Sequence, residues 1–287
     1  MNTRPLGRTG VMIPEIGVGT SNYSAGPAVI RRAIELGAAL VDTAEDYGSE
    51  AIVGEAIRGL RDRVFVATKV APRHFRRADV HASANQSLRQ LGTDHIDLYQ
   101  LHWASDTIPI AETIGAMEEL VDAGKVRFIG VSNFSKSQLA AAAAAARTHP
   151  IVSNQVRYNL IDRHIESELL PYCRARGVTV IAYSPLAMGL DRLRARDPHR
   201  VLERLEAETG RTAAQIALTW CLADPAVVAI VKASSVKRVE ENCAASAWRL
   251  SDAQRAELDR LQFERRGRVE VRLRRVAHRL LTWMGRR

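Results

Sequence analysis

Short apolar runs alternate with helix-patterned stretches along most of this chain, and that alternation constrains its fold more than any other feature. Strand-like runs begin near Ile16, Leu40, Val64, Ile96, Phe128, Ile151, Thr179 and Val227. Short apolar runs bounded by polar segments read as buried strands. Between them, Ile52, Val53, Ala56, Ile57 and Leu60 fall at helical spacing, and the alanine-rich stretch 139–146 has the strongest helix propensity of the chain. Ser135 with Gln138, Thr212 with Gln215, and Ser251 with Gln254 match the capping box that opens helices. Alternating strands and helices imply parallel pairing. Eight repeats predict an α/β protein of the closed (β/α)8 type, a TIM barrel. The opening segment, Arg4 to Glu15, carries Gly7 and Gly10 between short runs. It predicts an N-terminal β-hairpin that plugs the barrel bottom. Residues 1–262 are expected to form this one domain, and residues 263–287 a basic C-terminal helical extension. Only Arg196 to Arg200 reads as an exposed long loop.

Charge is unevenly spread. The net charge is +9, and the segment from Glu264 to Arg287, with nine arginines and two glutamates, supplies +7 of it. The body is therefore near neutral. Val269, Leu273, Val276, Leu280 and Trp283 approximate one face of a helix in the tail. The plain reading is a helix docked on the barrel with its arginines solvated. The alternative is an anionic membrane surface or an acidic partner. Nucleic-acid binding has only charge behind it and no motif. A hydrophobic content of 46% supports a sizeable core, and no apolar run reaches membrane-spanning length. The start lacks a secretion-signal pattern, which points to the cytoplasm. Cys173, Cys221 and Cys243 are dispersed, without a CxxC pair, and read as thiols rather than as disulfides or zinc ligands.

Asp42, Tyr47, Lys69 and His102 each sit at or just past the end of an apolar run. In a parallel barrel the strand C-termini converge on the face where active sites form. A carboxylate, a phenol, an ammonium and an imidazole would then share one mouth. An ordinary phenol, with a pKa of about 10, is a reluctant acid at neutral pH. A nearby ammonium is expected to lower that value, and a carboxylate to hold the ammonium in place. Singly, each residue has a bland reading, as a surface ring or a satisfied strand-end histidine. Lysine is scarce, however, at five residues against 36 arginines. A lysine that closes the apolar run Val64 to Thr68 is not solvent filler.

Several motifs in order resemble those of the aldo-keto reductases. They are Val41-Asp42-Thr43-Ala44-Glu45-Asp46-Tyr47-Gly48 with Glu50 and Gly54, Ser87 to Asp94 with Asp97-Leu98 leading to His102, and Gly124-Lys125-Val126-Arg127 leading to Gly130-Val131-Ser132-Asn133-Phe134. The resemblance spans roughly residues 2 to 262. It implies reduction of an aldehyde or ketone by hydride from NADPH, with Tyr47 as proton donor and Asp42, Lys69 and His102 completing a tetrad.

Gly17-Val18-Gly19-Thr20 lacks the third glycine of a Rossmann fingerprint and opens no helix. By resemblance the cofactor instead lies extended across the mouth. Gly19, Thr20 and Asp42 would line it, Ser132, Asn133 and Gln155 would hold the carboxamide, and Tyr183 would stack on the nicotinamide beside Ser184, Pro185 and Leu186. Lys232, Ala233, Ser234 and Arg238 surround a helix start at Ser234 or Ser235, where free N–H groups suit a phosphate. Lys232 and Arg238 would clamp the 2′-phosphate, with Glu241 and Asn242 facing the adenine. Many family members have Pro-Gly or Pro-Lys where this chain has Val231-Lys232. The bland reading of this segment is a capped helix with solvated charges.

Tyr23, Tyr47, His102 and Trp103 are the candidate substrate contacts, around short loops that suit an open pocket. Two other function classes are weaker. A nucleotide-binding regulator with little turnover would have no need of the intact tetrad. A metal-dependent hydrolase needs clustered His and carboxylate ligands, and no His-x-His pair occurs. No metal is expected, the small-molecule carbonyl is the expected partner, and the sequence leaves the oligomeric state open, with a slight lean to a monomer.

Overall fold

The structure, a computed structural model, describes residues 1–197 and 199–261. The chain opens with the expected hairpin, β1 (Thr3–Pro5) antiparallel to β2 (Met12–Pro14). Gly7 and Gly10 turn it with φ of 55° and 78°, a region costly for residues with a Cβ.

Eight parallel strands then close a barrel: β3 (Ile16–Gly19), β4 (Leu40–Asp42), β5 (Phe65–Val70), β6 (Ile96–Leu101), β7 (Val126–Ser132), β8 (Ile151–Arg157), β9 (Thr179–Tyr183) and β10 (Val227–Val231). Each pairs with the next, and β10 returns to β3. The helices around them are α1 (Pro27–Glu35), α2 (Glu50–Ile57), α3 (Arg77–Leu91), α4 (Ile110–Asp122), α5 (Lys136–Ala145), α6 (Leu169–Arg176), α7 (Leu190–Arg194), α8 (Val201–Thr209), α9 (Ala213–Cys221), α10 (Val236–Ala244) and α11 (Asp252–Arg260). All three anticipated capping boxes form, at α5, α9 and α11. β7 starts two residues before Phe128, because Arg127 interrupts the apolar run but sends its guanidinium to Asp97 at 2.6 Å.

The expected exposed loop at Arg196 to Arg200 needs correction at Asp197. That side chain is 5% exposed, and its Oδ2 accepts from the Leu202 amide at 2.7 Å, holding the first turn of α8. The tail at 263–287 lies outside the described residues. Among the described residues no helix is long and apolar enough to cross a membrane.

Two apolar layers result. The larger packs the outer strand faces against the helices. The smaller fills the barrel with Leu40, Phe65, Ala67, Leu98, Val152, Ile181, Val228 and Ile230. Leu6 and Ile13 of the hairpin belong to this inner layer and are fully buried, so the hairpin does stopper the bottom.

Glu15, between hairpin and barrel, fastens this end. Its carboxylate accepts from Arg4, Arg249 and Ser246, and Arg4 also donates to the carbonyls of Leu222 and Asp224. Burial raises the Glu15 pKa, but Ser246 and the two arginines outweigh it and hold the group below its ordinary value. A depressed carboxylate stabilises the fold above its unfolded pKa, and the stabilisation disappears as pH falls through the folded one. Glu15→Ala, which strands buried donors, should cost about 3 kcal/mol in urea denaturation at neutral pH, with the deficit shrinking in acid. Glu35→Ala, in an exposed pair with Arg32, should cost under about 1 kcal/mol. Equal losses for the two variants would contradict the fastening role.

Candidate active site at the barrel mouth

Strand alternation lays a polar sheet of side chains over the inner apolar layer. Leu40 and then Asp42 point inward from β4, Ala67 and then Lys69 from β5, and Leu98 and then Gln100 from β6. β8 joins through a bulge. Ile129 pairs with Ile151 and Gly130 with Ser153, leaving Val152 as the extra residue. Bulges re-aim side chains beside functional sites, and this one sends Gln155 inward.

Asp42 is the hub. Its Oδ1 accepts from Lys69 Nζ at 2.6 Å, and its Oδ2 accepts from Gln155 Nε2 at 2.7 Å and Gln100 Nε2 at 3.3 Å. Lys69 also donates to the Thr43 carbonyl at 2.7 Å. All four side chains are buried, at 2% exposure or less. Thr20 supports the hub from behind. Its hydroxyl donates to the Asp42 carbonyl at 2.9 Å and lies 2.8 Å from Ser49 Oγ. Thr20 is fully buried and positions Asp42. Gly19 precedes it, paired with Asp42 across the ladder.

Tyr47 sits in a single 3-10 turn, Glu45–Tyr47, just after β4. Glu45 accepts from the Ala71 amide at 2.7 Å, which ties this turn to the exit of the lysine strand. Tyr47 Oη is 3.3 Å from His102 Nε2, and Lys69 Nζ lies 4.9 Å from the Tyr47 ring centroid. His102 is pinned through its backbone: its amide donates to Val70, and its carbonyl accepts from Asn133 Nδ2 at 3.1 Å. The four predicted residues therefore do converge.

Asn133, at the end of β7, has φ of 61°, a left-handed conformation that asparagine tolerates better than most residues. Its Nδ2 also donates to Ser132 Oγ, and its Oδ1 accepts from Tyr183 Oη at 2.9 Å. Ser132 in turn donates to the Gln155 carbonyl. Ser184 turns the chain after Tyr183 with φ of 50°, beside buried Pro185 and half-buried Leu186.

Across the mouth, Ser235 rather than Ser234 caps α10, its hydroxyl accepting from the Arg238 amide. Lys232 and Arg238 are exposed. Lys232 donates to the Asn22 carbonyl at 3.3 Å, and Arg238 lies 3.6 Å from Glu241. Ala233 and Asn242 are buried, and Ser234 is exposed. Tyr23 is half-buried, and Trp103 is 44% exposed with its ring stacked 6.3 Å from that of His102. Among the described residues no group of three or more His, Cys, Asp or Glu is placed to hold a metal.

The profile of the Aldo/keto reductase family matches residues 9–262. The chain belongs to the aldo/keto reductase family. It is 37% identical to the methylglyoxal reductase YeaE of Escherichia coli over 91% of this chain and 95% of that one. It superposes on a Klebsiella pneumoniae aldo/keto reductase, solved with NADP and acetate, with a TM-score of 0.84 and 40% identity, covering 92% and 96% of the two chains. A thermostable aldo-keto reductase, Tm1743, solved with the inhibitor epalrestat, gives 0.85 and 39% over 91% and 100%.

Two features of this aldo/keto reductase site escaped the sequence reading. Gln100 is a hub ligand, signalled only as the polar residue two before His102. The phenol also differs from expectation. Burial, followed by the charge of Asp42, pushes Tyr47 above its ordinary pKa rather than below it. Lys69 does not outweigh this, since its bonds go to Asp42 and Thr43.

Burial and then the charge of Lys69 lower His102 to about 4. A histidine depressed from about 6.5 is neutral in the fold, so its stabilisation is complete above the unfolded value and is lost as pH falls towards the folded one. NMR titration of the His102 ring protons should give a midpoint near 4. A midpoint above about 6 would contradict the neutral imidazole.

Proposed function

We propose that the chain reduces aldehydes or ketones to alcohols with NADPH, and that Tyr47 protonates the carbonyl oxygen. The observation that carries this reading is the approach of Tyr47 Oη to His102 Nε2 at 3.3 Å, over a buried Asp42–Lys69 pair. A carbonyl oxygen placed between phenol and imidazole receives two donors, provided His102 carries its proton on Nε2. The raised phenol is fully protonated at neutral pH, which suits an acid rather than a base. As the oxygen gains negative charge, the ammonium beside the Tyr47 ring favours proton release. Asp42 holds that ammonium in place through the 2.6 Å bond.

NADPH supplies the hydride to the carbonyl carbon. The donor set fits this cofactor. Ser132, Asn133 and Gln155 gather hydroxyl and amide groups at one end, next to the Tyr183 ring. At the other end Lys232, Arg238 and the N-terminus of α10 offer positive charge to a phosphate, with Glu241 the one acid paired there. The Klebsiella relative, solved with NADP, supports the same choice. The E. coli relative's name supports small reactive aldehydes among the substrates, as do the short loops around an exposed Trp103.

Tyr47→Phe should lower kcat about 10²- to 10⁴-fold on a panel of aldehydes while leaving NADPH affinity within about twofold. Undiminished turnover would remove Tyr47 from the chemistry. In fluorescence titrations NADPH should bind at least about tenfold more tightly than NADH, and Arg238→Ala should narrow the gap, since a charge-assisted bond to the 2′-phosphate contributes about 1.5–3 kcal/mol. Equal affinities in the unsubstituted protein would refute the phosphate clamp.

A further inference from the structure

Arg157, the last residue of β8, has no part in the chemistry above. It occupies the inward position next after Gln155, because strand side chains alternate. Two residues below Gln155, Ser153 faces the interior so closely that a Cβ on Gly130 would lie 2.4 Å from its Oγ. Across the ladder Arg157 pairs with Tyr183. Its guanidinium carbon lies 5.6 Å from the Tyr183 ring centroid. Tyr183 Oη in turn donates to Asn133, which holds the carbonyl of His102.

Arg157 is incompletely satisfied. Its Nε is buried without a hydrogen-bond partner, and among the described residues no carboxylate forms an ion pair with it. Asp162, the acid that feels its charge, is engaged by His164 at 2.6 Å. Three other groups of the mouth are paired or neutral. Lys69 pairs with Asp42, Arg73 pairs with Asp46, and His102 is neutral. A half-buried guanidinium is costly to leave unpaired, and its planar fork matches a carboxylate.

We infer that Arg157 is a specificity-determining residue that binds the carboxylate of an acid-bearing aldehyde or ketone. The inference rests on the reductase reading. A cofactor phosphate is the other anion of the site, but Lys232, Arg238 and the α10 N-terminus serve it beyond β10, whereas Arg157 stands on β8 against the Tyr183 ring.

The test compares 4-carboxybenzaldehyde with its methyl ester at saturating NADPH, in the unsubstituted enzyme, Arg157→Leu and Arg157→Lys, with NADPH affinity read by fluorescence. Turnover of the ester by the unsubstituted enzyme reports on the reductase reading alone. The ratio of kcat/KM, acid over ester, should fall at least tenfold in Arg157→Leu, whatever the absolute loss, and less in Arg157→Lys, which keeps the charge without the fork. A ratio unchanged in Arg157→Leu overturns the inference. A tenfold weaker NADPH affinity with an unchanged ratio also overturns it, by assigning the cation to the cofactor.

Discussion

The buried carboxylate of Asp42 holds this architecture together at the mouth. A charge removed from water must be matched by partners with good geometry. Asp42 finds three, on three other strands: Lys69 of β5, Gln100 of β6 and Gln155 of β8. Those bonds fix the spacing of half the barrel. They also fix the ammonium against Tyr47, and through Gln155 they reach Ser132 and the chain's turn at Asn133. The chemistry of the site and the closure of the barrel therefore rest on the same carboxylate. Removing it would leave an unpaired buried ammonium and loosen both.

The same economy appears on the far side of the mouth. Asn133 receives the Tyr183 phenol and holds the His102 carbonyl, so the imidazole is set by strands β7 and β9 as well as by its own. Arg157 lies against the Tyr183 ring, beside that chain. A substituent that meets Arg157 would sit next to the groups that orient the carbonyl. Recognition of the substrate's charged end and alignment of its reacting end then share one scaffold.

The fold was largely legible because its signals are local. Each barrel strand is a short apolar run, and each capping box lies within four residues. Asp42, Tyr47, Lys69 and His102 were legible for the same reason, as polar residues closing apolar runs. What stayed hidden depends on distance in space. Gln100 shows no partner in the sequence until β4 and β6 are brought near each other. The bonds of Thr20 to the Asp42 carbonyl and to Ser49 likewise join residues far apart in the chain. The phenol's acidity depends on how deeply Tyr47 is buried, which no spacing encodes, so proximity to a lysine alone gave the wrong direction. Asp197 sits in a polar string that reads as loop, yet it is drawn inside by the open amides at the start of α8.

The hairpin stopper has a consequence for traffic. With Leu6 and Ile13 sealing the bottom, the interior is a well with a single opening. Two molecules that must meet inside such a well cannot arrive from opposite ends. The one that rests deeper has to be seated first and released last, and the shallower one acts as its lid while both are present. Water meets the same limit: with the opening covered, the lysine and carboxylate beneath have no route to the solvent. The order of loading would thus follow from the packed interior and the hairpin beneath it, at the opposite end of the molecule from the chemistry.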